Sequence, residues 1–106
     1  MKIPEHIKTI AKRKAMQSDC NYRVSAIAIN RRGEIINSTT NKHRFDGKGK
    51  GLHAEMQLMS ANPKGIKHII ICRVGKGGML LEIDPCPMCQ EKANELGIKI
   101  TSIKGD

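Results

Sequence analysis

Four side chains in this sequence have types and spacing that could do chemistry together: His53, Glu55, Cys86 and Cys89. They stand in two short motifs, His53-Ala54-Glu55 and Pro85-Cys86-Pro87-Met88-Cys89. A catalytic zinc ion needs three protein ligands and one position left open for water. His53, Cys86 and Cys89 supply three, and zinc lowers the pKa of bound water to about 7. Glu55 lies two positions after His53, near such a metal without having to bind it. A carboxylate there can take a proton from the water and return it to a ring nitrogen and then to departing ammonia. That chemistry is the hydrolytic deamination of an aminated nucleobase.

Each motif alone is weak. His-Ala-Glu arises by chance, and Cys-x-x-Cys also has redox and structural-zinc readings. A structural zinc would need a fourth ligand, for which His43 and His68 are the candidates. A thioredoxin-like redox pair lacks its strand context and leaves His53 and Glu55 unexplained. Together and in this order, with an apolar run between them, the motifs point to a catalytic Zn²⁺ centre. Cys72 lies within that run and reads as a small buried hydrophobe. Cys20 has no assignment.

The elements that must position these residues can be read from periodicity. Pro4 suits a first helical turn, and Ile3, Ile7, Ile10 and Ala11 share a face, giving a helix that ends near Asp19. Val24–Ile29 and Glu34–Ser38 read as strands joined by the turn Asn30–Gly33. A polar, basic, glycine-containing loop runs from Thr39 to Gly51. Leu52–Ala61 is a short helix stopped by Asn62-Pro63. Lys67–Val74, with Ile69-Ile70-Ile71-Cys72 at its centre, suits a strand covered on both faces. Gly75–Gly78 turns the chain, and Met79–Ile83 is a short extended stretch. Cys86–Leu96 is a helix with Gly97 as its stop, and Ile98–Ile103 is a final strand. The order is α-β-β-α-β-α-β, an α/β sandwich on a mixed sheet flanked by helices. Both motifs fall at helix starts, where the helix dipole favours thiolate.

On these motifs the chain resembles the cytidine/deoxycytidylate deaminase superfamily from about Val24 onward, including its polynucleotide-cytosine members. The resemblance implies a cytidine-deaminase-like fold. It also implies that His53, Cys86 and Cys89 bind zinc, and that Glu55 transfers protons. Asn41 would contact the sugar or base, the backbone amide of Ala54 would hold the base carbonyl, and Pro85 would shape the start of the cysteine helix. A histidine at the first ligand position is similar to deoxycytidylate, tRNA-adenosine, guanine and polynucleotide-cytosine deaminases. Free-cytidine deaminases usually carry cysteine there. Relatives continue with further elements after this point, so residues 1–106 read as a single minimal deaminase domain.

The chain carries 19 Lys and Arg against 10 Asp and Glu, a formal charge of +9 over 106 residues. Such a surplus points to anionic partners, with solubility as the plain alternative. The loop Lys42–Lys50 leads directly to Leu52-His53, and His43, Arg44 and Phe45 in it are candidate substrate contacts. Phe45 could stack on a base or sit at the core edge. Other cations are spread over the first helix, the Arg31-Arg32 turn and Lys64–Lys76. A spread of cations suits many phosphates, through counterion release. The reading is therefore deamination of cytosine in single-stranded polynucleotide, DNA before RNA; the open groove that such a substrate needs favours a monomer, while the sequence leaves the oligomeric state open. The alternative is a free pyrimidine nucleotide such as deoxycytidylate. A purine or tRNA-adenosine substrate, or a zinc-stabilised nucleic-acid-binding module without activity, stands behind these. Against the polymer reading, only Tyr22 and Phe45 are aromatic, and single-strand platforms use aromatics. The N-terminus has no apolar signal core and no run could span a membrane, so a cytoplasmic protein is expected.

Overall fold

The computed structural model describes residues 3–18, 23–41, 53–61, 64–75 and 77–103. The elements are α1 (Glu5–Met16), β1 (Arg23–Ile29), β2 (Ile35–Thr40), α2 (Ala54–Ala61), β3 (His68–Val74), β4 (Leu80–Leu81), α3 (Pro87–Leu96) and β5 (Lys99–Ser102). The expected order holds with one addition. The stretch Met79–Ile83 contributes a two-residue strand, β4, because Leu80 and Leu81 pair with Val74 and Arg73.

The strands form one mixed sheet in the order β2-β1-β3-β4, with β5 also on β3. β1 runs antiparallel to β2 and to the full length of β3. β5 runs parallel to the first half of β3, from His68↔Lys99 to Ile71↔Ser102. β3 is therefore the central strand. Its N-terminal half pairs with β5, and its C-terminal end pairs with β4.

Alternation along the strands splits the core in two. On one face Ile27, Ile29, Ile70, Cys72 and Val74 pack with Ile7, Ala11 and Ala15 of α1. On the other, Val24, Ala26, Ala28, Ile69 and Ile71 pack with α2 and α3 through Ala54, Leu58, Met59, Cys89 and Ala93. The successive residues Ile69, Ile70, Ile71 and Cys72 are all fully buried because each face of β3 is covered. Alanines on both strands and helices let the layers approach closely. The Ser25 hydroxyl, buried in the sheet, donates to the Ala11 carbonyl at 2.7 Å and fastens α1 to β1. Burial pushes the Cys72 thiol up to about 11, with Lys12 opposing weakly, which leaves an inert thiol and supports its reading as a hydrophobe.

One strand end and one helix face differ from expectation. β2 continues through Thr39 and Thr40, assigned to the loop by polarity, because these residues pair with Ala26 and Ser25. In α1, Ile10 is exposed and Ala15 takes the buried stripe with Ile7 and Ala11. Among the described residues no helix is long and apolar enough to cross a membrane.

The two-sided core gives a direct test. Ile70→Ala removes a fully buried side chain from the α1 face. It should cost about 3 kcal/mol of unfolding free energy, read from the denaturant midpoint at unchanged slope. A loss below about 1 kcal/mol would mean that this face is not a packed core.

Candidate functional site

Two helix N-termini converge on one point. His53 immediately precedes α2, and its carbonyl accepts the first helical bond, from Gln57 N at 3.1 Å. Cys86 is the N-cap of α3, in an extended conformation, and its carbonyl accepts from Gln90 N at 2.9 Å. Pro87 follows at the first helical position, where its fixed φ is already helical and its missing N–H costs nothing. Gly97 closes α3 in the left-handed conformation, at φ 70°, as its place in the sequence required. The expected helix from Leu52 is observed from Ala54, with Leu52 outside the described residues.

β3 and β5 are parallel and joined through α3, so α3 returns antiparallel to them. Its N-terminus lies at the end of the sheet where β3 finishes and β1 begins. α2 starts at the same end, since Gln57 in its second turn reaches Thr39 and Thr40 at the close of β2. This is the usual place for a site in an α/β sheet, outside the carboxyl ends of parallel strands.

The ligand atoms of His53, Cys86 and Cys89 all lie within 4.8 Å of one another. The two sulfurs are 3.5 Å apart, and Cys89 Sγ is 3.5 Å from His53 Nδ1. Zinc bonds of about 2.3 Å to sulfur and about 2.0 Å to nitrogen, at tetrahedral angles, would separate these atoms by about 3.8 and 3.5 Å. The donor set therefore fits one zinc ion. The chemistry of Cys89 fits as well. Burial, then the nearby Glu55 carboxylate, then Cys86 push its thiol up, so a thiolate there requires a local cation. The Cys89 amide donates to Cys86 Sγ at 3.4 Å, which orients that sulfur toward the helix start.

Among the described residues the cluster has three members, and His53 is exposed, so one side of the site is open. His68, the candidate fourth ligand of a structural zinc, is at the far end of β3. Its Nε2 contacts Thr101 Oγ1 at 2.6 Å, and burial, then Lys99, lowers its pKa. The other candidate, His43, lies outside the described residues. Glu55 is buried, at 4% exposure, in the first turn of α2, beside Cys89 but outside the ligand cluster.

The remaining sequence candidates divide. Ala54 is fully buried as the first residue of α2, where a backbone N–H has no partner within the helix. Pro85 is half-buried beside Cys86. Asn41 follows β2 at the site's end of the sheet, and its Oδ1 accepts from Ser18 Oγ and Val24 N. His43, Arg44 and Phe45, with Cys20 and Tyr22, lie outside the described residues. Sequence reasoning missed Gln57, whose Nε2 donates to the Thr40 carbonyl at 2.7 Å and whose Oε1 accepts from Thr39 Oγ1 at 3.1 Å. It missed Ser18 too. No local signal marks these contacts, which join residues 17 to 23 apart.

The comparisons agree with this geometry. A family described as the cytidine and deoxycytidylate deaminase zinc-binding region matches residues 1–104. The fold is similar to the crystal structure of cytidine deaminase from Mycobacterium leprae, with a TM-score of 0.64 and 20% identity over 97% of this chain and 92% of that one. It is also similar to cytidine deaminase from Mycobacterium tuberculosis, with a TM-score of 0.62 and 19% identity over 93% and 85% of the two chains. No curated protein matches the chain by sequence. The two helix starts that bring His53, Cys86 and Cys89 together are thus those of a zinc deaminase, and the chain belongs to the cytidine and deoxycytidylate deaminase family.

Proposed function

We propose that this protein hydrolytically deaminates the cytosine of a free nucleoside or nucleoside monophosphate, with His53, Cys86 and Cys89 holding zinc and Glu55 moving protons. The observation that carries the reaction is the place of Glu55, buried against Cys89 yet not a member of the ligand cluster. Zinc, when bound, supplies a water acidic enough to act as a nucleophile near neutral pH. The Glu55 carboxylate accepts a proton as water oxygen bonds to C4 of the base, and delivers it to N3. A further transfer to the exocyclic nitrogen lets ammonia leave, and C4 becomes a carbonyl. The Ala54 N–H, at the positive end of α2, suits the base carbonyl oxygen. Asn41 contacts the sugar or base, Pro85 shapes the α3 side of the pocket, and His43, Arg44 and Phe45 are the candidate substrate contacts from the segment before His53.

The free-nucleotide substrate is preferred over the polynucleotide because of where the charge lies. Lys8, Lys12, Arg13 and Lys14 belong to α1, on the face of the sheet opposite α2 and α3. Arg31, Arg32, Lys64, Lys67 and Lys99 gather at the end where Ile29 pairs with His68 and His68 with Lys99, away from the helix starts. The spread of cations read from the sequence is real, but among the described residues most of it does not surround the site. One or two groups suffice for a single phosphate. The loop 42–50 favours the second reading, a single-stranded polynucleotide, since its cations directly precede His53 in the chain.

Three outcomes check the proposal. Glu55→Gln should retain about one zinc per chain and the wild-type melting temperature while turnover falls at least 100-fold. Persistent deamination would remove Glu55 from the mechanism. Chelation should abolish turnover and lower the melting temperature, and added zinc should restore both. Offered cytidine, deoxycytidylate and a cytosine-containing oligonucleotide, the protein should release ammonia from one of the small substrates, with less than about a twofold change between 50 and 200 mM salt. Preferential turnover of the oligonucleotide, falling by orders of magnitude over that range, would establish the polymer reading instead.

A further inference from the structure

Deamination at the two helix starts makes no use of the cations at the far end of the sheet. Arg31, Arg32, Lys64, Lys67 and Lys99 are all exposed, and they come from three separate turns. Backbone bonds hold those turns side by side. The Lys67 N–H donates to the Ile29 carbonyl at 2.9 Å, and the Lys99 N–H donates to the Lys67 carbonyl at 3.2 Å. Lys67 and Lys99 therefore stand at the starts of β3 and β5, beside the end of β1, and Arg31 and Arg32 follow that end directly. The turn at Gly65, next to Lys64, reaches the Ile36 side chain of β2. With neighbouring strands about 4.8 Å apart, the row from the β1–β2 turn to β5 is about 10 Å long. The arginine turn is preset. Asn30 Oδ1 accepts from the N–H groups of Arg32 at 3.0 Å and Glu34 at 2.9 Å, and Gly33 supplies the left-handed φ of 83°.

We propose that this end of the sheet is a docking surface for the phosphate backbone of a polynucleotide, separate from the deamination pocket. It goes beyond the substrate reading and does not depend on it. Acids do not interleave with the row. Glu34 accepts from Asn30 Nδ2 at 3.1 Å, and Glu95 lies near the end of α3. Among the described residues neither carboxylate pairs with any of the five cations. A surface that serves solubility alone intersperses both signs. The field of the row reaches into the fold, since burial, and then Lys99, holds His68 below its ordinary pKa. The guanidinium forks suit paired phosphate oxygens and the lysines act as point charges, so the row neutralises several phosphates at once. The cations sit on turns of a sheet end, not along one face of an amphipathic helix, the form that lies in a membrane interface. Among the described residues there is no aromatic side chain to stack on a base, so recognition runs through the backbone and takes DNA and RNA alike. A strand bound here leaves the pocket, at the opposite end of the sheet, open to a small substrate.

The test measures binding of the zinc-loaded protein to fluorescent strands of about twenty thymidylates or uridylates, which contain no cytosine, by anisotropy between about 50 and 200 mM salt. The wild type should bind both strands, with log affinity falling against log salt at a slope of about −3. Arg31→Gln, Arg32→Gln, Lys67→Gln and Lys99→Gln together should weaken binding at least tenfold and flatten that slope by about 2. Its melting temperature should stay within a few degrees of wild type, and its deaminase turnover should not change. The control Lys8→Gln, Lys12→Gln, Arg13→Gln and Lys14→Gln removes the same charge from α1 and should leave affinity within about threefold. Equal weakening in the two variants would overturn the proposal, because binding would then follow net charge and not a surface. Failure of the wild type to bind either strand at the lower salt would overturn it too. Patch-dependent binding to vesicles containing phosphatidylserine, in place of the strands, would assign the surface to a membrane instead. The strands carry no cytosine, so loss of the deaminase reading would leave this outcome untouched, and the reverse holds as well.

Discussion

The site depends on two helices starting at the same place. His53 and Cys86 both occupy the position just before a helix, where the carbonyl is already bonded into the first turn and the side chain is free to point outward. Neither helix could hold zinc alone. α3 offers two sulfurs 3.5 Å apart, and α2 offers one imidazole, 3.5 Å from Cys89. The third ligand arrives only because both helices lie on one face of the sheet and begin at one of its ends. The same packing buries Glu55 against Cys89. Burial and negative neighbours make a thiolate at Cys89 costly on its own, and a divalent cation held by the same three ligands would offset that cost.

β3 is what makes this registry possible. It pairs with β1 along its full length and shares its other edge between β5 and β4. The shared edge is functional. β5 continues the sheet from the far end of α3, and β4 holds the chain that leads into Cys86. A strand covered on both faces cannot shift by one residue without exchanging Ile70 and Cys72 for Ile69 and Ile71 between two filled cores. Register in the middle of the sheet is therefore fixed by packing, and the two helix starts inherit that register.

How much of this was legible follows from the range of each signal. The ligands, Glu55, the helix stop at Gly97 and the apolar run of β3 are marked by residues within a few positions of one another. Two hairpin strands and three helices followed from the same local patterns. β4 was read only as extended, because two leucines after a glycine turn do not reveal that they pair with Arg73 and Val74. Thr39 and Thr40 read as loop, because polarity hides a strand whose inward face meets Gln57 rather than a hydrocarbon. Ser18 was read as nothing at all. Its contact with Asn41 crosses from the end of a helix to the end of a hairpin, and neither residue type is unusual where it stands.

Charge shows the same limit most clearly, and it bears on substrate. A net charge of +9 is a single sum, and the order of residues along the chain does not say which face or end of a sheet each cation occupies. The fold divides it. α1 carries one group to the side of the sheet away from α2 and α3, and the β1–β2 turn and the starts of β3 and β5 carry another to the far end. Counterion release rewards phosphates that are actually contacted, so cations one sheet-length from the pocket add little to the binding of a base drawn into it. A polymer could gain from them only by wrapping around the molecule, whereas a nucleotide needs the few groups at the mouth.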